Sequence, residues 1–152
     1  MDGHRKASGC AKPCRTDMGR YSTILGALTT QGVQASMTIE SATDAAVFST
    51  FVQQVLAPTL RPGQVVIMDN LPAHRQRKVR RLLAAHRCRL WYLPPYSPDL
   101  NPIELAWSKL KTFLRAAKAR LRPALEEAVA RGLRTITAQD ARNWFRHCRH
   151  AL

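Results

Sequence analysis

Acidic side chains are scarce in this chain. Ten Asp and Glu stand against 24 Lys and Arg in 152 residues, which leaves a net charge of +14. Long apolar runs are absent: none approaches the roughly 20 residues that a membrane helix needs. Residues 1–20 lack the apolar segment of a secretory signal. These absences lead us to expect a cytoplasmic chain with no membrane partner. The four cysteines, Cys10, Cys14, Cys88 and Cys148, show no paired CxxC or Cys/His knuckle spacing, so free thiols are expected rather than structural zinc. No internal repeat or low-complexity tract interrupts the sequence. What remains is the size of one domain, with 45% apolar residues to build a core.

The positive charge is unevenly spread. Residues 1–68 carry 6 basic and 4 acidic side chains, whereas residues 69–152 carry 18 and 6, a net of +12. Most of those cations are arginine, whose planar fork suits phosphate. A nucleic acid is therefore the expected partner, ahead of an acidic membrane.

Residues 1–20 are polar and basic, with Gly, Pro and Cys, and read as a disordered arm. Tyr21–Thr29 and Val33–Ile39 flank the turn Thr30-Gln31-Gly32, which predicts a hairpin. Ser41 and Thr43 are cap candidates for a helix over Asp44–Leu56. Val65–Met68 is a short apolar run that suits a strand buried on both faces. Pro72 opens a predicted helix to about His86, and Arg89–Leu93 is another strand. Pro94–Leu100 is stiffened by its prolines. Asn101 caps a helix with Pro102 at its first position. Two further helices follow, from Pro123 and from the cap Thr137. Trp107, Trp144 and Phe145 are expected in the core. The order β-β-α-β-α-β-α-α-α defines an α/β fold with a mixed sheet and a helical carboxyl end.

Two carboxylates stand out. Asp69 ends the apolar strand, where α/β sheets place reactive groups. Glu104 lies on the first turn of a helix entered through the proline loop, with 34 residues between it and Asp69. Together they could hold Mg²⁺ through hard oxygen ligands, and paired ions of that kind drive phosphodiester chemistry. Each also has a plain structural reading: Asp69 as a helix cap, Glu104 as the back-reaching arm of a capping box with Asn101.

The strings Val65-Val66-Ile67-Met68-Asp69-Asn70-Leu71-Pro72-Ala73-His74 and Leu90 through Glu104, with Tyr96-Ser97-Pro98-Asp99-Leu100-Asn101-Pro102-Ile103-Glu104 at its core, resemble one family closely. They are similar to the catalytic domain of bacterial insertion-sequence transposases of the mariner-like superfamily, the insertion sequence six-thirty type. The likeness runs from about Tyr21 to the carboxyl end. It implies an RNase H-like mixed sheet, a three-carboxylate (DDE) site, and metal-dependent DNA cleavage and strand transfer. It implies Asp69 and Glu104 as catalytic and metal-binding residues, with Mg²⁺ or Mn²⁺ as cofactor. Asn70, His74 and Asn101 become neighbours of that site, although a surface position for His74 is equally open. Arg75, Lys78, Arg81, Lys109, Lys111 and Arg115 become candidates for the DNA backbone, with a plain solvated face as the alternative. Transposon ends and target DNA are the implied partners, a homo-oligomer is left open, and no small-molecule substrate is implied.

The chain departs from the pattern in two respects. Family members have an amino-terminal helix-turn-helix region and a first Asp on the opening strand. Upstream of the hairpin only Asp2 and Asp17 are acidic, both in sequence that does not read as a strand. The expectation is a truncated copy of residues 21–152, lacking the central strand and the first Asp, with exposed sheet edges and no catalytic activity. The alternative is an inactive basic remnant that binds DNA without sequence preference.

Overall fold

The computed structural model describes residues 6–10, 23–40, 44–118 and 122–150. Five strands form one mixed sheet in the order β3-β2-β1-β4-β5. They are β1 (Lys6–Cys10), β2 (Thr23–Thr29), β3 (Gly32–Ile39), β4 (Val65–Met68) and β5 (Arg89–Tyr92). β2 and β3 make the expected hairpin, closed at Thr29↔Gly32 around Thr30-Gln31. Gly32 has φ +120°, which a residue with a Cβ rarely adopts. β1 runs antiparallel to β2 and parallel to β4, and β4 runs parallel to β5.

The central strand is therefore present, against expectation. Lys6–Cys10 fills the place between the hairpin and β4, inside the segment read as an arm. Neither inner edge is left open. Sequence reasoning failed here because ladder hydrogen bonds use only backbone groups. A short segment with Gly9 and no apolar alternation can be held between two committed strands, where tertiary context overrides propensity.

Two helical layers cover the sheet. On one face lie α1 (Ala45–Phe51) and α2 (Arg77–Ala85). There Phe48, Phe51, Val52, Leu56, Val79 and Leu83 bury against Leu25, Ala27, Val66 and Met68. On the other lie α3 (Pro102–Ala117), α4 (Arg122–Arg134) and α5 (Ala138–His147). Trp107, Leu110, Val129 and Phe145 pack there against Ile24 and Leu28. Trp107 and Phe145 are buried as expected, and Trp144 packs partly buried beside them. Gly26 lets α3 come close, since a Cβ there would lie 2.8 Å from Trp107 Cη2.

Local details correct three boundaries. Asp44, accepting from the Val47 amide at 2.8 Å, caps α1; Ser41 and Thr43 lie outside the described residues. After Phe51 the helix widens into a π turn, Val52–Leu56, and then a 3₁₀ turn, Ala57–Thr59. Pro58 has no N–H for the carbonyl of residue 54, so the regular ladder cannot continue through it. The helix expected over residues 72–86 is split. Pro72–Arg75 is a 3₁₀ turn, Gln76 is extended at ψ 139°, and α2 follows. Thr137 caps α5 as expected, with Asp140 completing a capping box.

Candidate active site and nucleic-acid surface

Asp69 follows β4 directly, in half-exposed sequence. Strand parity puts it on the side of Val65 and Ile67, the face covered by α3. The amino end of α3 is tied to it there: Asn101 Nδ2 donates to Asp69 Oδ1 at 3.0 Å. Asn101 is wholly buried and does three things. Its Oδ1 accepts from the Ile103 amide at 3.4 Å, capping α3. Its own amide donates to the Pro98 carbonyl at 3.0 Å. Its Nδ2 reaches the carboxylate. Because Pro98 satisfies that amide, Glu104 is not needed for the capping box. Glu104 stands half-buried on the first turn of α3, one turn beyond the residue that holds Asp69. The helix entered through the proline loop thus starts against the strand end that carries Asp69, with Glu104 on its first turn.

His74 lies beside Asp69 and not on the surface. It is fully buried in the 3₁₀ turn. Its Nδ1–H donates to the Asp69 backbone carbonyl at 2.8 Å, and its ring lies 4.4 Å, centroid to centroid, from Phe48. Its Nε2 is buried without a hydrogen-bond partner. Burial pushes its pKa below the ordinary value, which the Asp69 carbonyl and charge only partly oppose. The neutral ring is a strut that fixes the backbone leaving Asp69. Tyr92, at the end of β5, donates its hydroxyl to the His74 carbonyl at 2.6 Å and fixes the same turn from the neighbouring strand. Sequence reading passed over Tyr92. Its place at the end of the strand following the carboxylate strand was the available signal. Asn70 Oδ1 is buried without a hydrogen-bond partner.

The strand opposite supplies no third carboxylate. Lys6, Ala7 and Ser8 pair with Val65, Val66 and Ile67. Two more residues in the same register make Cys10 the position level with Asp69. β1 contains no Asp or Glu. Asp2 and Asp17 lie outside the described residues. Among the described residues no group of three His, Cys, Asp or Glu side chains is placed to hold a metal ion. Hard divalent ions need several oxygen ligands, and among the described residues Asp69 and Glu104 are the carboxylates that the resemblance assigns to that role.

The basic candidates divide between the two layers. Arg75, Lys78 and Arg81 are exposed around α2, on the sheet face opposite α3. Lys111 and Arg115 lie on α3, half-buried and exposed respectively. Lys109 is committed elsewhere. Its Nζ binds Asp140 Oδ2 at 2.5 Å and the Thr135 carbonyl at 2.9 Å, tying α3 to the start of α5. Its ammonium is thus already paired within the fold. The described helices include none long and apolar enough to cross a membrane.

Residues 12–126 match the model of the DDE superfamily endonucleases, and the chain belongs to that family. No curated protein matches the sequence. Among solved structures, the Mos1 transposase catalytic domain with Raltegravir and Mg superposes at TM-score 0.70 with 18% identity, covering 95% of this chain and 77% of that one. The Mos1 strand transfer complex gives 0.69 and 17%, covering 95% of this chain and 50% of that one. The catalytic core domain of BIV integrase gives 0.61 and 20%, covering 86% and 82%. The fold is thus the RNase H-like one. The chain spans half the length of the transposase in the strand transfer complex.

Proposed function

We propose that this chain is a transposase-type DNA-processing domain of the DDE endonuclease family, with Asp69 and Glu104 as its acidic pair. The observation that carries the reading is the Asn101–Asp69 bond, which locks the helix of one carboxylate onto the strand of the other. Asp69 and Glu104 are the residues that would face a scissile phosphodiester. Asn101 orients Asp69, and His74 holds its backbone. Arg75, Lys78, Arg81, Lys111 and Arg115 supply cations for the DNA backbone, consistent with the net charge of +14. Transposon ends and target DNA are the substrates this reading names, met in the cytoplasm.

The donor set favours a narrower reading of the 152-residue chain. β1 holds no carboxylate at the position level with Asp69, so we derive no metal-dependent step. We propose that the chain alone binds DNA without cutting it. The test is a plasmid-nicking assay in Mg²⁺ or Mn²⁺ beside binding at several salt concentrations. No nicking is expected, with affinity falling steeply as salt rises, because each neutralised phosphate releases counterions. Nicking abolished by Asp69→Ala would overturn the inactivity and implicate an acid outside the described residues. Salt-independent affinity would overturn the DNA reading.

A further inference from the structure

Among the described residues only three large apolar side chains are exposed: Leu71 at 37%, Trp91 at 47% and Tyr96 at 101%. All three surround the end of β4. Trp91 sits on β5 level with Ile67. Leu71 and Tyr96 line the same open groove, about 620 Å³, with Asp69, Asn70, Pro94, Pro95 and Pro98 also in its lining. Tyr96 does nothing for the core. It also occupies the left-handed region at φ +57°, which a bulky residue rarely adopts without compensation. Flanking prolines fix the chain on both sides. An aromatic ring on a proline-fixed stretch of backbone is thus held out into solvent, in the groove that Asp69 also lines.

We propose that Tyr96, with Leu71 across the groove, seats an unstacked nucleobase of a DNA strand that passes Asp69. The proposal rests on the DNA-processing reading and names what its groove takes. Charge favours this occupant over an apolar peptide. The exposed Arg75 closes the turn that follows Pro72 on one side of the groove. On the other, His150 Nε2–H donates to the Leu100 carbonyl at 2.7 Å and docks the end of α5, with the exposed Arg146 and Arg149, on the proline loop. Cations on either side suit a polyanionic backbone. The ring suits any base, because every base has a π-face. A base can enter only if it leaves its own stack, so single-stranded or gapped DNA should bind better than intact duplex.

The test uses the full chain and oligonucleotides carrying 2-aminopurine, with anisotropy for affinity and fluorescence for stacking. Binding should quench the probe at one position. Tyr96→Phe should keep the quench. Tyr96→Ala should lose it and weaken single-strand binding about five- to a hundredfold, while duplex binding changes little. Urea unfolding of both variants should match the parent, since the ring is exposed. If Tyr96→Ala binds single strands as tightly as the parent with the same quench, the stacking seat is wrong and the DNA reading stands. If the parent binds no DNA at low salt, both fall.

Discussion

The side-chain amide of Asn101 donates to the carboxylate of Asp69 at 3.0 Å, across 32 residues of sequence. This one contact joins a strand end to a helix start and sets where Glu104 stands. The same residue caps the helix, so capping and the docking of α3 on the end of β4 are a single event. Removing it breaks both.

Asn101→Ala should therefore destabilise the fold by about 2–3 kcal/mol, since it deletes a buried cap and a hydrogen bond to a charged acceptor. Asn101→Asp keeps the cap but sets a second carboxylate against Asp69. That variant should be weakest near neutral pH and recover as the pH falls through the carboxylate range. Urea midpoints between pH 4 and 8 check both outcomes.

His74 makes stability pH-dependent in the opposite sense. Burial holds its folded pKa below the ordinary 6.5, so the unfolded chain binds the proton more tightly. Its contribution is complete above about pH 6.5 and is lost as the pH falls through the folded value. His74→Gln should cost stability at pH 8 and flatten the curve between pH 7 and 5. A parent curve with no slope there would contradict the buried neutral ring.

The register of β1 against β4 gives a gain-of-binding test. If Cys10 occupies the position level with Asp69, Cys10→Asp adds a carboxylate one strand away, about 4.8 Å in the ladder. Isothermal titration with Mn²⁺ should show weak or no saturable binding by the parent and a clear isotherm for Cys10→Asp. Cys10→Ser should behave like the parent. Equal Mn²⁺ affinity in all three would place the metal donors elsewhere.

Lys109 and Arg115 share α3 but not a role. Lys109→Ala should leave the salt dependence of DNA binding unchanged and cost about 1 kcal/mol of stability or less, because its ion pair is partly solvated. The Lys109 hydrogen bond holds the Asp140 carboxyl below its ordinary range. The pair's stabilisation is therefore present above about pH 4 and is lost as the pH falls further. Arg115→Ala should leave stability alone and reduce the salt slope by about one. Binding isotherms at four salt concentrations, with urea melts, separate the two.

Sequence alone determined much of this protein. The apolar run Val65–Met68, the alternation of the hairpin strands, the Asn101-Pro102 helix start and the Thr137 cap are local signals, and local sterics and backbone hydrogen bonds enforce them. The spacing of Asp69 and Glu104 came with them, together with the family. Tertiary structure decided the rest. β1 exists because two neighbouring strands offer unpaired backbone groups, and its own side chains advertise nothing. The extended Gln76 ends the 3₁₀ turn early and turns His74 inward onto Phe48. The Lys109 ammonium is engaged within the fold because Asp140, 31 residues away, completes the capping box of a helix that packs beside it. Each of these depends on a partner distant in the chain, and a periodicity or a spacing cannot carry that information.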